Sequence, residues 1–115
     1  MFTAYVLVTI GAIVANVAAA AADFSRARFV LANAAKLGVA ETWLPLLGAL
    51  KAAGAAGLLI GLLGVRPIGV AATIGLVLFF VGAIATHIRA RDYNLAPPIF
   101  YLALAVASLV LIATR

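Results

Sequence analysis

The chain has 115 residues, of which 68% are hydrophobic and 10% charged, with a net charge of +5 and no cysteine. Its mean hydropathy is +1.29, whereas a soluble domain has roughly half apolar and about a quarter charged residues. This composition excludes an ordinary soluble domain and predicts an integral membrane protein. The absence of cysteine excludes disulfides and cysteine-ligated metals from this chain. Because its basic residues lie at the ends of apolar runs, they are expected to set orientation in the membrane, and no nucleic acid partner is predicted.

Four segments are long and apolar enough to cross a membrane, which takes about 20 residues in a helix. Between the first two, Arg26, Arg28 and Lys36 fall on one side of a 3.6-residue period and apolar residues on the other. This pattern predicts an amphipathic helix in the membrane interface, with an ordinary loop as the alternative. The predicted fold is all-α, a membrane four-helix bundle forming one domain over residues 1–115. Its predicted spans are 2–22, 42–63, 67–88 and 95–113, and the interfacial helix is 24–37.

The distribution of Lys and Arg predicts the orientation of the bundle. The connectors after spans one and three carry five basic residues, and the opposite side carries Arg66 and Arg115. We therefore expect loops 24–41 and 89–94 in the cytoplasm and both termini outside, in the inner (plasma) membrane. A cleaved signal peptide is the alternative for span one, but no Lys or Arg precedes its apolar stretch, as one normally does.

Polar side chains gather at the end of the bundle where these two connectors lie. All three acids and the single histidine fall at this end. Lys51 lies about nine residues into the second span, roughly 13 Å deep at 1.5 Å per residue, and the first span carries an asparagine at similar depth. We predict a polar funnel that opens at this end and closes near mid-membrane. Its predicted ligand-binding residues are Asn16, Asp23, Glu41, Lys51, Thr86 and His87.

The ammonium group of Lys51 needs an explanation, because a charge within a span costs roughly 2.5–3.5 kcal/mol on insertion scales. Its stem can extend toward the polar end, it can pair with Asp23 or Glu41 beside Asn16, or burial can remove its proton. Ionisable residues inside membranes usually serve a function. We therefore prefer a paired lysine that lines a ligand or proton pathway over simple extension toward the interface.

Glycines at helical spacing predict close helix packing in spans two and three. Small residues let backbones approach where lipid provides no hydrophobic drive for association. The same stripes are also compatible with a dimer interface. The predicted packing residues are Gly54, Gly57, Gly61, Gly64, Gly69, Gly75 and Gly82.

The remaining polar and aromatic residues carry weaker signals. A lone histidine at a span end, such as His87, is more often a hydrogen-bonded interfacial side chain than a catalyst; a haem ligand or proton shuttle is the alternative. Trp43, Tyr93 and Tyr101 are expected in an aromatic belt. No phosphate loop, zinc spacing or nucleophile motif occurs, so no metal site is predicted.

The order of motifs over residues 36–92 resembles that of the DoxX-like family of small four-helix membrane proteins. The motifs are LGV before the second span, a WLPLLG start, a Gly-rich helix, an RP turn and a third helix ending in ATHIR. The resemblance implies an integral four-helix bundle and a link to thiosulfate–quinone oxidoreduction and to membrane oxidoreductase assemblies. Many members carry an acidic residue at the position of Lys51, so the role of that carboxylate does not carry over to this chain.

Three functions are compatible with these residues and this resemblance. The first is an accessory subunit of a redox or other membrane assembly, which either packs against its partners through the glycine stripes or interacts with a quinone held without covalent attachment. The second is a binder or transporter of a small amphiphile or lipid in the funnel around Lys51. The third is an intramembrane acid–base enzyme, and whether the chain catalyses any reaction is left open. The expected partners are membrane lipids and either a partner membrane protein or a second copy of the chain.

Overall fold

The computed structural model describes residues 2–114, which form five α-helices and one short 3-10 turn and contain no strand. Helices α1, α3, α4 and α5 are each long and apolar enough to span a membrane. The predicted all-α fold with four spans is therefore confirmed. The elements are α1 Phe2–Ser25, α2 Arg28–Leu37, a 3-10 turn Glu41–Trp43, α3 Leu44–Leu62, α4 Arg66–Arg89 and α5 Ala96–Thr114.

Helix α2 is shorter than the predicted amphipathic helix. The predicted start at residue 24 was wrong, because α1 continues through Ser25 and the chain turns at Arg26. Gly38 ends α2 in the left-handed conformation, as expected for this residue, with φ 69°. Ala34 is buried while Arg28 and Lys36 are exposed, so α2 does have two unlike sides. Its position in a membrane interface stays a prediction.

Two arginines end helices at the same end of the bundle. Arg26 follows α1 with φ 53° and Arg91 lies just beyond α4 with φ 57°. After α4, the Asp92 amide donates to the His87 carbonyl, which satisfies an oxygen that the helix leaves unpaired. Glycine usually occupies this left-handed position because it has no Cβ. Both connectors at this end therefore start with strained, positively charged turns.

The four long helices form a closed ring in which every neighbour is antiparallel. Helix α1 packs beside α3 and α5, and α4 packs beside the same two helices. The centre of the ring holds apolar side chains, among them Ala12, Leu58 and Leu76, together with buried polar ones such as Asn16 and Ser108. The molecule measures 40 × 25 × 19 Å, so its long axis exceeds the roughly 30 Å of a bilayer's hydrocarbon core.

Close packing at glycine is concentrated where α3 meets α4. A Cβ placed on Gly61 would lie 2.7 Å from the Gly69 Cα, and one on Gly57 would lie 2.6 Å from the Ala72 Cβ. A Cβ on Gly54 would likewise meet the Leu76 side chain. Only glycine allows these backbones to approach so closely.

The predicted set of packing glycines was too broad. A Cβ on Gly64, Gly75 or Gly82 would meet nothing within 4 Å among the described residues. Gly64 instead lies in the turn after α3 with φ 119°, while Gly75 and Gly82 are exposed residues of α4. Spacing alone does not tell the bundle-facing side of an evenly apolar helix from its lipid-facing side.

Candidate functional site

A cavity of about 820 Å³ lies at the end of the bundle where α1 and α4 end and where α3 and α5 begin. All five helices contribute to its wall, which is mainly apolar. Four of the six predicted funnel residues line it: Asp23, Lys51, Thr86 and His87.

The polar centre of the cavity is an ion pair between α1 and α3. The Lys51 Nζ donates a hydrogen bond to Asp23 Oδ2 at 2.8 Å, and the two side chains are 16% and 6% exposed. Gly48 lies one turn before Lys51, and a Cβ there would be 3.1 Å from the Asp23 Cβ. The missing side chain lets α1 approach α3 and brings the carboxylate to the amine. Of the two predicted carboxylate partners for Lys51, the structure selects Asp23.

The other two predicted funnel residues lie outside the cavity wall. Glu41 is in the 3-10 turn, where its carboxylate lies 3.7 Å from Arg26 in a pair that is more than half exposed. Asn16 is buried in the bundle core, and its Nδ2 donates to the Ala12 carbonyl at 2.8 Å. The preceding turn of its own helix therefore supplies the partner of the Asn16 amide nitrogen, while Asn16 Oδ1, the expected acceptor for Lys51, has no hydrogen-bond partner among residues 2–114.

His87 and Thr86 are held by the last turns of α4. The Thr86 hydroxyl donates to the Gly82 carbonyl at 2.9 Å. The His87 Nδ1 lies 2.8 Å from the Ala83 carbonyl oxygen, and because a carbonyl only accepts, Nδ1 carries the proton in this bond. This contact fixes the ring and leaves Nε2 as the nitrogen that is not used by the helix.

An aromatic wall beside the ion pair was not predicted. The Phe79 ring centroid lies 5.5 Å from the Lys51 Nζ, within the range of a cation–π contact. Phe80 stacks on Tyr101 with centroids 5.2 Å apart, and the Tyr101 hydroxyl donates to the Ala15 carbonyl at 3.2 Å. Phe79 and Phe80 precede Thr86 and His87 by seven residues, a spacing that places each pair on one face of α4. This spacing was the sequence signal from which the aromatic wall could have been predicted.

The aromatic belt prediction was wrong for Tyr101, which faces into the bundle and lines the cavity. Its hydroxyl satisfies a backbone carbonyl, so its apolar ring can pack inside. Trp43 and Tyr93 are 55% and 68% exposed, and their place in a belt stays a prediction.

The ion pair at the centre of the cavity offers hydrogen bonding without net charge, while Arg89, an exposed residue at the end of α4, is a further charged residue of the wall. Lys51 has three N–H groups and uses one on Asp23, so two N–H donors and the second carboxylate oxygen are not used in that bond. Among residues 2–114, no three His, Cys, Asp or Glu side chains converge as metal ligands would. The arrangement suits a ligand with a polar head and an apolar body.

The comparison with protein families decides the class of the chain. A family model described as the DoxX-like family matches residues 7–108, which include parts of all four spans. The chain belongs to the DoxX-like family. Its membership and its four apolar helices make it a small multi-pass membrane protein. A search of curated proteins and a search of solved structures found no match.

Proposed function

We propose that this DoxX-like protein is an accessory subunit that holds a membrane-soluble quinone, without covalent attachment, in the cavity at Asp23 and Lys51. The observation that carries the proposal is one cavity of about 820 Å³ that combines a buried ion pair with an apolar, aromatic wall. Small-molecule sites typically have this form, with a few polar groups that orient an otherwise apolar ligand.

The polar groups of the cavity fit a carbonyl-bearing head. The Lys51 N–H groups that do not bind Asp23 can donate to a carbonyl oxygen. His87 lines the same cavity, and the Nε2 of its neutral ring is an acceptor, which fits a hydroxyl of the reduced ligand. Because the Asp23–Lys51 pair is neutral overall, a neutral ligand leaves both charges of this pair compensated. Asp23 and Phe79 both restrain the amine, so little side-chain freedom is lost when a ligand binds.

The aromatic groups fit the ring of such a ligand. Phe79, Phe80 and Tyr101 all line the cavity, and planar rings associate well in offset or edge-to-face arrangements. When bound, a quinone supplies two-electron, two-proton redox chemistry. In this proposal the residues of the chain bind and orient it, and a partner subunit supplies the electrons.

A second candidate function is the binding or transport of another amphiphile or lipid without redox chemistry. It is favoured by Ala18 and Gly82, which line the cavity and are exposed residues. A cavity with an open wall of this kind gives an acyl or isoprenoid chain a route into the surrounding bilayer.

The single tryptophan provides the assay, because Trp43 lines the cavity and quinones quench indole fluorescence. The purified protein in lipid nanodiscs is titrated with decylubiquinone while Trp43 emission is recorded. We expect saturable quenching, and we expect Lys51→Met to weaken the apparent affinity about tenfold, since a hydrogen bond from a charged donor contributes about 1.4 kcal/mol or more.

The double variant Lys51→Met/Asp23→Leu removes the donor without leaving a buried carboxylate unpaired, so its weaker binding cannot be assigned to misfolding. Arg66→Gln, at the opposite end of the bundle, is the matched control and should leave the titration unchanged. Quenching that does not saturate, or that is equal in wild type and double variant, contradicts quinone binding. A phospholipid retained by the wild type and lost from the double variant in native mass spectrometry would favour the second candidate.

A further inference from the structure

One face of α1 carries a polar side chain at every second turn. Thr9, Asn16 and Asp23 are seven residues apart, which places them on the same side of the helix. Their exposed fractions are 1%, 1% and 5%. Asp23 lines the cavity, and the other two follow it into the bundle core at intervals of about 10.5 Å. A polar row therefore runs from the cavity along the inside of the bundle.

Ser108 on α5 extends this row across the bundle. The Tyr101 hydroxyl contacts the Ala15 carbonyl and so fixes the register of the antiparallel helices α1 and α5. From this contact, Ser108 lies seven residues further along α5, about 10.5 Å, and Thr9 lies six residues back along α1, about 9 Å. The two hydroxyls thus lie at about the same depth, and Ser108 is fully buried.

Three oxygen atoms of this row have no hydrogen-bond partner among residues 2–114: Thr9 Oγ1, Asn16 Oδ1 and Ser108 Oγ. The usual solution within a helix is a bond to a carbonyl of the preceding turn. Thr73 and Thr86 make such bonds, to Val70 and Gly82.

Of the two polar atoms of the Asn16 side chain, only the amide nitrogen can bond the Ala12 carbonyl. Asn16 Oδ1 is an acceptor and needs a donor from outside its own helix. A buried polar atom without a partner is unfavourable, and more so in a bilayer, where bulk water is absent. Ordered water commonly satisfies such atoms. The unpaired oxygens therefore point to a shared partner that both donates and accepts.

We propose that ordered water molecules join Asn16, Thr9 and Ser108 into one hydrogen-bonded file that conducts protons between the cavity and the opposite end of the bundle. Intervals of about 9–10.5 Å correspond to about two or three waters at hydrogen-bond spacing. A proton enters at the cavity and another leaves at the far end, while each water and hydroxyl gives up one proton and takes another. Asn16 Oδ1 only accepts a hydrogen bond, so it holds a water in place and the protons pass along the waters beside it. Every group returns to its starting composition.

The far end of the file is polar as well. Ile112 lies one turn beyond Ser108, and its carbonyl accepts a hydrogen bond from the Arg66 side chain at 3.2 Å. Tyr5 lies one turn beyond Thr9 on the same buried face of α1. This function does not require a ligand in the cavity, so it stands independently of quinone binding.

The test measures proton entry into liposomes that contain the full-length protein and a trapped pH-sensitive dye, driven by a potassium gradient with valinomycin. We expect a flux above that of empty liposomes. Asn16→Leu should reduce it about tenfold, since loss of one hydrogen bond on the path corresponds to about that factor in rate. Thr9→Val and Ser108→Ala should each lower it in the same direction.

Thr73→Val is the matched control, because Thr73 is equally buried but its hydroxyl already bonds the Val70 carbonyl. It should retain the wild-type flux. Thermal melting and Trp43 emission check that each variant is folded, and Ser108→Ala should bind decylubiquinone as the wild type does. A wild-type flux no greater than that of empty liposomes overturns the proposal, as does an equal reduction by Ser108→Ala and Thr73→Val.

Discussion

Replacing one residue of the Asp23–Lys51 pair tests whether the ion pair, in addition to packing, stabilises the contact between α1 and α3. The nitrogen–oxygen distance is 2.8 Å, and the side chains are 16% and 6% exposed, so either partner left alone is a poorly solvated charge. We expect Asp23→Leu or Lys51→Met to lower the free energy of unfolding by about 3–5 kcal/mol. The double variant should be much closer to wild type, because an apolar pair replaces a neutral ion pair without leaving a charge.

The assay is a double-mutant cycle by denaturant unfolding in mixed micelles. Because each single variant should cost about 3–5 kcal/mol and the double variant much less, the coupling free energy should exceed about 3 kcal/mol, the top of the usual range for contacting residues. The exposed pair of Arg26 and Glu41, 3.7 Å apart, is the internal control, and its cycle should give less than about 1 kcal/mol. Additive effects of Asp23→Leu and Lys51→Met would refute the reasoning, since independent residues show no coupling.

Three other predictions follow from the fold. Gly61→Ala should lower the free energy of unfolding by about 1–3 kcal/mol, because the new Cβ would overlap the α4 backbone. Gly75→Ala, with open space around the new Cβ, should raise it by up to about 1 kcal/mol. Thermal or denaturant unfolding compares the two variants. Arg91→Gly should stabilise by about 1 kcal/mol in the same measurement, because its φ of 57° favours glycine. Since the chain has no cysteine, Lys36→Cys and Val65→Cys can report orientation: an impermeant maleimide applied to intact cells should label only Val65→Cys, and the reverse pattern would invert the predicted topology.

The fold was largely predictable from the sequence because its causes are local. Apolar runs of span length require a helix wherever the backbone lies in lipid, and Pro67 and Gly64 mark the turn between α3 and α4. The boundary at Arg26 was less predictable, since a non-glycine residue in the left-handed conformation carries little sequence signal. The 3.6-residue periodicity of the sequence predicted that α2 has a polar and an apolar side, but it could not show at which residue α1 ends.

Four apolar helices, one polar end and a lysine within reach of two carboxylates could all be predicted from the sequence. The packing of the helices was needed to show that Gly48 brings Asp23 rather than Glu41 to that lysine, that Tyr101 turns inward onto Phe80, and that Gly75 and Gly82 have open space around them. An almost uniformly apolar helix has no strong preferred face. Which side meets a neighbour depends on the close approach of backbones at particular small residues, and these contacts exist only once the helices are packed.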